Sequence, residues 1–179
     1  QRVAVHGLHD IDQRSGPFSW TYAQLQDQVN RIAQVLTQDM GLVPGNRVLL
    51  RGGNSPMMAA CLLASFKAGL VAVPTMPLLR AGELATIIDK AQVSAALCDS
   101  VLADALRHCM TAGHTYHVPR LQQVLEFRSS AAQGLEQRKL RHSGHFEAHH
   151  TSRDEVCLTA FTSGTTRQPN GPPPLHRHL

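Results

Sequence analysis

The chain is 179 residues long, 42% apolar and only 4% aromatic, with 17 Lys and Arg against 13 Asp and Glu for a net charge of +4. That apolar share supports a packed core and excludes wholesale disorder, and the shortage of rings leaves Leu, Val, Ala, Ile and Met to build it, as in buried parallel strands covered by helices. The basic residues run scattered from Arg2 to Arg177 without a block or interleaved aromatics, which argues against a nucleic-acid groove, and no apolar run reaches the ~18 residues of a membrane span.

Arg2–His6 and Phe18–Trp20 read as two short strands joined by a turn-rich stretch. A helix follows. Thr21 is its N-cap, Gln24 completes a capping box, and Trp20 and Leu25 stand at the hydrophobic-staple positions. Tyr22, Leu25, Val29, Ile32 and Leu36 recur at helical spacing and predict one buried face, with Gly41 at the C-terminal cap.

"RVLLR" is then a strand, and Ser55-Pro56 opens a helix that stops at Gly69. "LVAVP" is a strand, and "RAGELATIIDKA" is a helix with Leu84, Ile87, Ile88 and Ala91 on one side. "SAALC" is a strand, Asp99 caps a helix through about Met110, and "TYHV" is the next predicted strand. Strand and helix alternate with short connections, which predicts an α/β fold: a mostly parallel sheet flanked by helices. From Leu121 to Arg153 the pattern weakens, so residues 121–155 are expected to form a surface connection before "EVCLTAF" restores strand character.

Cys61, Cys98, Cys109 and Cys157 form no C-x-x-C pair, and three of them sit among apolar neighbours. Reduced core thiols follow, and with no visible signal peptide a cytoplasmic protein is expected.

The stretch "AFTSGTTRQPNG", Ala160 to Gly171, is dense in hydroxyls. Thr162, Ser163, Thr165 and Thr166 supply donors beside a run of backbone N–H groups, and Gly164 permits close approach. Such a turn makes a concave anion site, and its place after a strand puts it at the carboxyl end of a parallel sheet, where α/β folds bind ligands. It does not match the G-x-x-x-x-G-K-[ST] pattern. A polar surface turn whose hydroxyls cap its own backbone has the same composition.

The stretch resembles the phosphate-binding signature of the AMP-forming acyl-CoA synthetase (adenylate-forming ligase) superfamily, an aromatic followed by T-S-G-[ST]-T-G-x-P-K-G. Phe161, Thr162, Ser163, Gly164, Thr165, Thr166, Pro169 and Gly171 match. The upstream chain agrees in order, and "GGNSPMM…KAG…MPLLRAGEL" is most similar to benzoate- and 2-aminobenzoate-CoA ligases. The resemblance implies that Thr162, Ser163, Gly164, Thr165, Thr166 and Gly171 bind the ATP phosphates, with Mg²⁺, and that the substrates are a small carboxylic acid, ATP and coenzyme A. It implies an N-terminal AMP-binding region over 1–179, with the adenine-binding motifs and the C-terminal lid domain elsewhere. The chain alone is therefore expected not to form thioesters.

Two positions depart from the signature: Arg167 replaces a glycine and Asn170 replaces the lysine. The second removes a charge that would face phosphate, and a neutral contact is roughly half as strong as a charge-assisted one. The alternatives are a non-catalytic phosphate- or nucleotide-binding module and a truncated product without function.

Other features carry plainer readings beside sharper ones. His142, His145 and His149 would share a helical face able to gather a metal, against a His-rich solvated loop. "RGGNSP" is an anion-binding turn or an ordinary strand-to-helix connection. Met57, Met58, Cys61, Leu62 and Phe66 line an acyl chain or, more often at such spacing, a core. Arg80 and Glu83 bind a carboxylate or form a solvated pair.

Overall fold

The computed structural model describes residues 3–7, 18–152 and 154–161. It opens on β1 (Val3–Gly7) and β2 (Phe18–Thr21), paired antiparallel. Thr21 caps α1 (Tyr22–Gln34): its hydroxyl accepts from the Gln24 amide at 3.3 Å, and Gln24 Oε1 accepts from the Thr21 amide at 2.9 Å. Trp20 and Leu25 pack against one core cluster, as a staple requires.

Tyr22 departs from its predicted burial and is 63% exposed. Side chains on a helix lean toward its N-terminus, so the first helical residue projects past the end of the face it was assigned to. The buried face begins at Val29 and continues through Ile32, Ala33 and Leu36. The helix widens into a π turn over Val35–Asp39 before Gly41 takes the left-handed conformation at φ 65°.

The main sheet has four parallel strands, β3 (Arg47–Arg51), β4 (Val71–Thr75), β5 (Ala95–Asp99) and β6 (Gln123–Phe127), in the order β4-β3-β5-β6. Between them run α2 (Pro56–Lys67), α3 (Ala81–Lys90) and α4 (Ala103–Met110), and α5 (Leu135–Lys139) follows β6. Ser55 caps α2 through the Met58 amide at 3.1 Å, with Pro56 at the first helical position.

Strand alternation divides the core in two. Val48, Leu50, Ala72, Ala95, Leu97 and Leu125 face α1 and α2, while Leu49, Val73, Ala96 and Cys98 face the α3 and α4 side. Both faces are covered, so the strands read as continuous apolar runs. Among the described residues, no helix is long and apolar enough to cross a membrane.

Two expectations are corrected here. "TYHV" is not a strand: Val118 N donates to Cys109 O at 2.8 Å and Leu121 N to Val118 O at 3.1 Å, so this segment spends its backbone groups closing α4 and turning, with Pro119 next. The strand comes later, at Gln123–Phe127, inside the stretch expected to be a surface connection. That stretch also contains α5, and it buries Leu121, Leu125, Phe127 and Leu135.

Beyond Leu140 the chain has no further helix before Val156, and there it forms a strap gripped by α1. Arg31 donates to His142 O, Gln34 Nε2 donates to Ser143 O at 2.5 Å, and Asn30 Nδ2 donates to Gly144 O at 2.7 Å. Asp27 orients Arg31 at 2.8 Å. These side chains sit at helical spacing, so one polar face of α1 satisfies a loop backbone. The strap continues to α2, where His149 N donates to Lys67 O at 2.9 Å. It thus carries the chain from the β6 side of the sheet to the outer flank of β4.

Gly52 leaves β3 against the fully buried Phe127, and a Cβ there would lie 2.8 Å from Phe127 Cζ. Gly52→Ala is expected to cost ~1–3 kcal/mol, the usual range for overpacking. Urea denaturation would show a lowered midpoint at unchanged slope; an unchanged midpoint would contradict this packing.

Candidate functional site

The residues read as phosphate ligands, Thr162, Ser163, Gly164, Thr165, Thr166 and Gly171, lie outside the described residues, as do Arg167 and Asn170. Their approach is described. Leu158 forms a parallel bridge with Ala72, made by Ala72 N donating to Cys157 O and Thr159 N donating to Ala72 O, both at 2.9 Å. The segment therefore flanks β4 and runs in the same direction. "EVCLTAF" carries isolated bridge positions at Val156 and Leu158 rather than a full strand. Three residues on from the bridge, β4 reaches its last residue, Thr75, and the flanking chain reaches Phe161. Phe161 is half-buried and packs on the α3/α4 side of the core, on the cluster that includes Leu49 and Val73.

The carboxyl end of the sheet is unusually polar for a buried place. Of the six buried polar or charged side chains among the described residues, three end a strand: Arg51 on β3, Thr75 on β4 and Asp99 on β5. Each is fully engaged in shaping this edge. Thr75 Oγ1 donates to Leu50 O at 3.3 Å. Asp99 accepts from the Val101 amide at 3.3 Å and pairs with Arg128 at 3.2 Å.

Arg51 reaches furthest. Its Nη1 donates to Met76 O at 3.1 Å, its Nη2 to Pro77 O at 3.0 Å and to Leu79 O at 2.7 Å, and its Nε to Leu102 O at 3.3 Å. At 3% exposure, burial pulls the guanidinium below the ordinary arginine value, yet an arginine stays charged at neutral pH. One planar fork thus ties the loop after β4 to the turn after β5. The outward side chains of those loops, Leu78 at 88% exposure and Val101 at 75%, are left uncovered.

The sequence singled out the hydroxyl run, which lies outside the described residues, and Asp99 as a cap; it gave Thr75 no role and Arg51 only a place in the "RGGNSP" turn. The signal was a charged or hydroxyl residue closing an otherwise apolar strand, where one more aliphatic would serve a plain core.

The remaining candidates resolve toward packing. "RGGNSP" is a strand-to-helix connection with a Ser55 cap, and Gly52 accommodates Phe127. Cys61 is fully buried, and Met57, Met58, Leu62 and Phe66 pack against the α1/α2 core. Glu83 accepts from the Arg80 amide at 2.9 Å and so caps α3. His142, His145 and His149 do not share a helical face, because the strap is not helical, and His142 instead meets Asp39 at 2.9 Å. Among the described residues no three His, Cys, Asp or Glu side chains gather as a metal site.

The AMP-binding enzyme family profile matches residues 1–179. The chain belongs to this family. Its relatives include an uncharacterized acyl–CoA ligase, YtcI, of Bacillus subtilis, 29% identical over 168 residues that cover 93% of this chain and 30% of that protein. A feruloyl-CoA synthase of Amycolatopsis is 29% identical over 180 residues, covering 99% of this chain and 33% of that protein. The solved N-terminal domain of FACL13 from Mycobacterium tuberculosis, with an inhibitor bound, is 26% identical at a TM-score of 0.75, covering 89% of this chain and 38% of that one. The anthranilate CoA ligase AuaEII, in complex with anthranoyl-AMP, shares the fold at a TM-score of 0.74 and 18% identity, over 83% of this chain and 27% of that one. The mostly parallel sheet flanked by helices is that of the N-terminal domain of adenylate-forming enzymes. The chain spans about a third of the length of these two curated relatives.

All four cysteines are buried thiols. Burial pushes Cys98 up to about 12 and raises Cys61, Cys109 and Cys157 as well. In the folded chain at pH 8, a thiol reagent is expected to label them far more slowly than after denaturation. Because the unfolded thiols ionise near ~8.5 while the folded ones keep their protons, stability falls as pH rises from there toward 12. Prompt labelling without denaturant would contradict their burial.

Proposed function

We propose that this chain carries the phosphate-holding part of an ATP-dependent aryl- or acyl-CoA ligase. In that reaction a carboxylate oxygen attacks the α-phosphorus of ATP, the bond to the bridging oxygen breaks, and pyrophosphate leaves the acyl-adenylate. The thiolate of coenzyme A then attacks the acyl carbon, and AMP departs. The first step builds charge on the pyrophosphate, so fixed donors around its oxygens lower the barrier.

Thr162, Ser163, Thr165 and Thr166 would supply hydroxyl donors, with successive backbone N–H groups beside them, Gly164 would admit close approach, and Gly171 is the signature's last glycine. The observation that carries this reading is the Leu158–Ala72 bridge, which aims the chain at the carboxyl end of the sheet just before the hydroxyl run. Phe161–Leu179 contains no Asp or Glu, so its oxygens fit Mg²⁺ held mainly through phosphate and water rather than by a carboxylate cage. Bound there, Mg²⁺ would neutralise phosphate charge.

Residues 1–179 are read as an incomplete N-terminal AMP-binding domain, with the lid domain on further polypeptide, in a cytoplasmic protein. A benzoate- or 2-aminobenzoate-type acid is the proposed substrate class, supported by the wording of Gly52–Leu84. Arg167 and Asn170 favour a second reading, a nucleotide-binding module without catalysis, because they remove a lysine from the phosphate face and add a side chain where the signature has glycine.

Calorimetry tests the site. The purified chain is expected to bind MgATP saturably, and Thr165→Ala with Thr166→Ala to weaken it roughly tenfold or more, as loss of hydrogen bonds to charged groups should. Equal binding by the double variant would remove the loop from the site. With ATP, coenzyme A and benzoate, the chain alone is expected to release no AMP; turnover would show that the catalytic groups lie within these residues.

A further inference from the structure

We propose that His108 and His114 form a proton-sensitive latch, which holds the turn after α4 on the first turn of α3 while the imidazoles are neutral and releases it on acidification. Its residues lie on α3, α4 and the turn 111–117, and none belongs to the hydroxyl run read above.

The geometry fixes the state of His114. The Tyr116 amide donates to His114 Nδ1 at 3.2 Å. An amide N–H can only donate, so Nδ1 must offer its lone pair and the ring carries its one proton on Nε2. An imidazolium has a proton on both nitrogens and cannot accept this bond.

The ring stack adds to the same preference. The His114 ring lies flat on that of His108, in the last turn of α4, with centroids 4.6 Å apart and planes 4° apart. Two neutral rings tolerate this contact, whereas two imidazolium rings at that spacing repel. On its other side His114 meets Tyr116, with centroids 5.6 Å apart. Tyr116 in turn lies over Gly82, where a Cβ would come within 3.1 Å of its Cε1. Gly82 is in the first turn of α3, which starts directly after the loop that Arg51 holds. The contacts from His108 through His114 and Tyr116 to Gly82 therefore tie α4 to α3 by way of the turn. The backbone bonds of the turn, from Thr111 N to Arg107 O, His114 N to Thr111 O and His117 N to His114 O, do not reach α3.

The charged groups on the surrounding elements are engaged elsewhere. On α4, Asp104 pairs with Arg107 at 2.6 Å, and Arg107 also holds Glu126 of β6 at 2.5 Å. On α3, Glu83 accepts from the Arg80 amide at 2.9 Å, and Asp89 and Lys90 lie at the opposite end of the helix. His117 is the remaining histidine of the turn and is half-buried. Among the described residues, neither stacked ring makes an ion pair with a carboxylate. His108 is exposed and His114 half-buried, so solvent protons reach the stack. Histidine ordinarily changes charge between about pH 5 and 8. Because the neutral form is the one held, the latch is closed at the upper end of that window and opens as pH falls.

Amide exchange of the full chain, with each rate divided by its intrinsic rate at that pH, tests the latch. From about pH 7.5 to about pH 5.5 we expect protection of the Tyr116 amide to fall on the order of tenfold, as losing one hydrogen bond and gaining one like-charge contact would give. Leu50 and Leu97, on strands paired at both edges, should keep their protection, since the opening is local. His114→Asn retains a side-chain acceptor for the amide two residues on and removes the imidazole, so its Tyr116 protection is expected to stay constant across the range. Ring-nitrogen resonances of the unsubstituted chain need no variant. At about pH 8 His114 should carry its proton on Nε2, and on acidification the ring and the Tyr116 amide should move with one midpoint.

Unchanged Tyr116 protection, or a loss shared equally with Leu50 and Leu97, would overturn the latch. So would a fall in His114→Asn that matches the unsubstituted chain, or a His114 proton on Nδ1 at the alkaline end.

Discussion

Two backbone hydrogen bonds at Ala72 decide where the hydroxyl loop starts. Ala72 gives its N–H to Cys157 O and takes the N–H of Thr159, and that pair holds the returning chain on the outer flank of β4. The chain leaves β6 on the far side of the sheet, crosses α1 and α2 as the strap, and pairs only when it reaches β4. Without the strap's carbonyls being satisfied by Arg31, Gln34 and Asn30, this path would leave backbone acceptors without partners over a protein surface. Gly144 belongs to the same constraint, since a Cβ there would run into Asp27 Oδ1.

At the carboxyl end the sheet exchanges core packing for polar order. Arg51, Thr75 and Asp99 each end a strand and each is buried; Arg51 and Asp99 hold a loop or turn, and Thr75 bonds to the neighbouring strand β3. Rigid loops at this edge are what an anion site needs, because donors that need not reorganise are worth more than mobile ones. The crevice between β3 and β5, where the strand order reverses, is the usual ligand position in open α/β sheets. Here Phe127 is fully buried against Gly52 at that place. This filling favours the β4 flank as the ligand edge.

Much of the architecture was legible because local signals agreed with one another. The capping box at Thr21 and Gln24, the Ser55-Pro56 start and the apolar strands "RVLLR", "LVAVP" and "SAALC" were each fixed by a few adjacent residues. The strand at Gln123–Phe127 was hidden because its residues are half polar, "QVLEF", and its burial depends on pairing with β5 and on α5 packing from Leu135. The strap was illegible for a similar reason. Asp27, Asn30, Arg31 and Gln34 look like a solvated face, and only the fold brings carbonyls onto them. The role of Arg51 was missed because a terminal strand arginine ordinarily turns to water. The hydroxyl run was legible as a family signature, and the structure adds the course of the chain that precedes it.

The proposed ligand edge lies beside β4, where the chain runs on past Phe161. Mapping MgATP onto the chain by backbone amide resonances tests it most directly. The largest shifts are expected at residues 162–166, with smaller ones at Thr75, Phe161 and the 76–80 loop. Shifts centred instead on Gly52, Gly53 and Ser100, at the β3–β5 crevice, would contradict it.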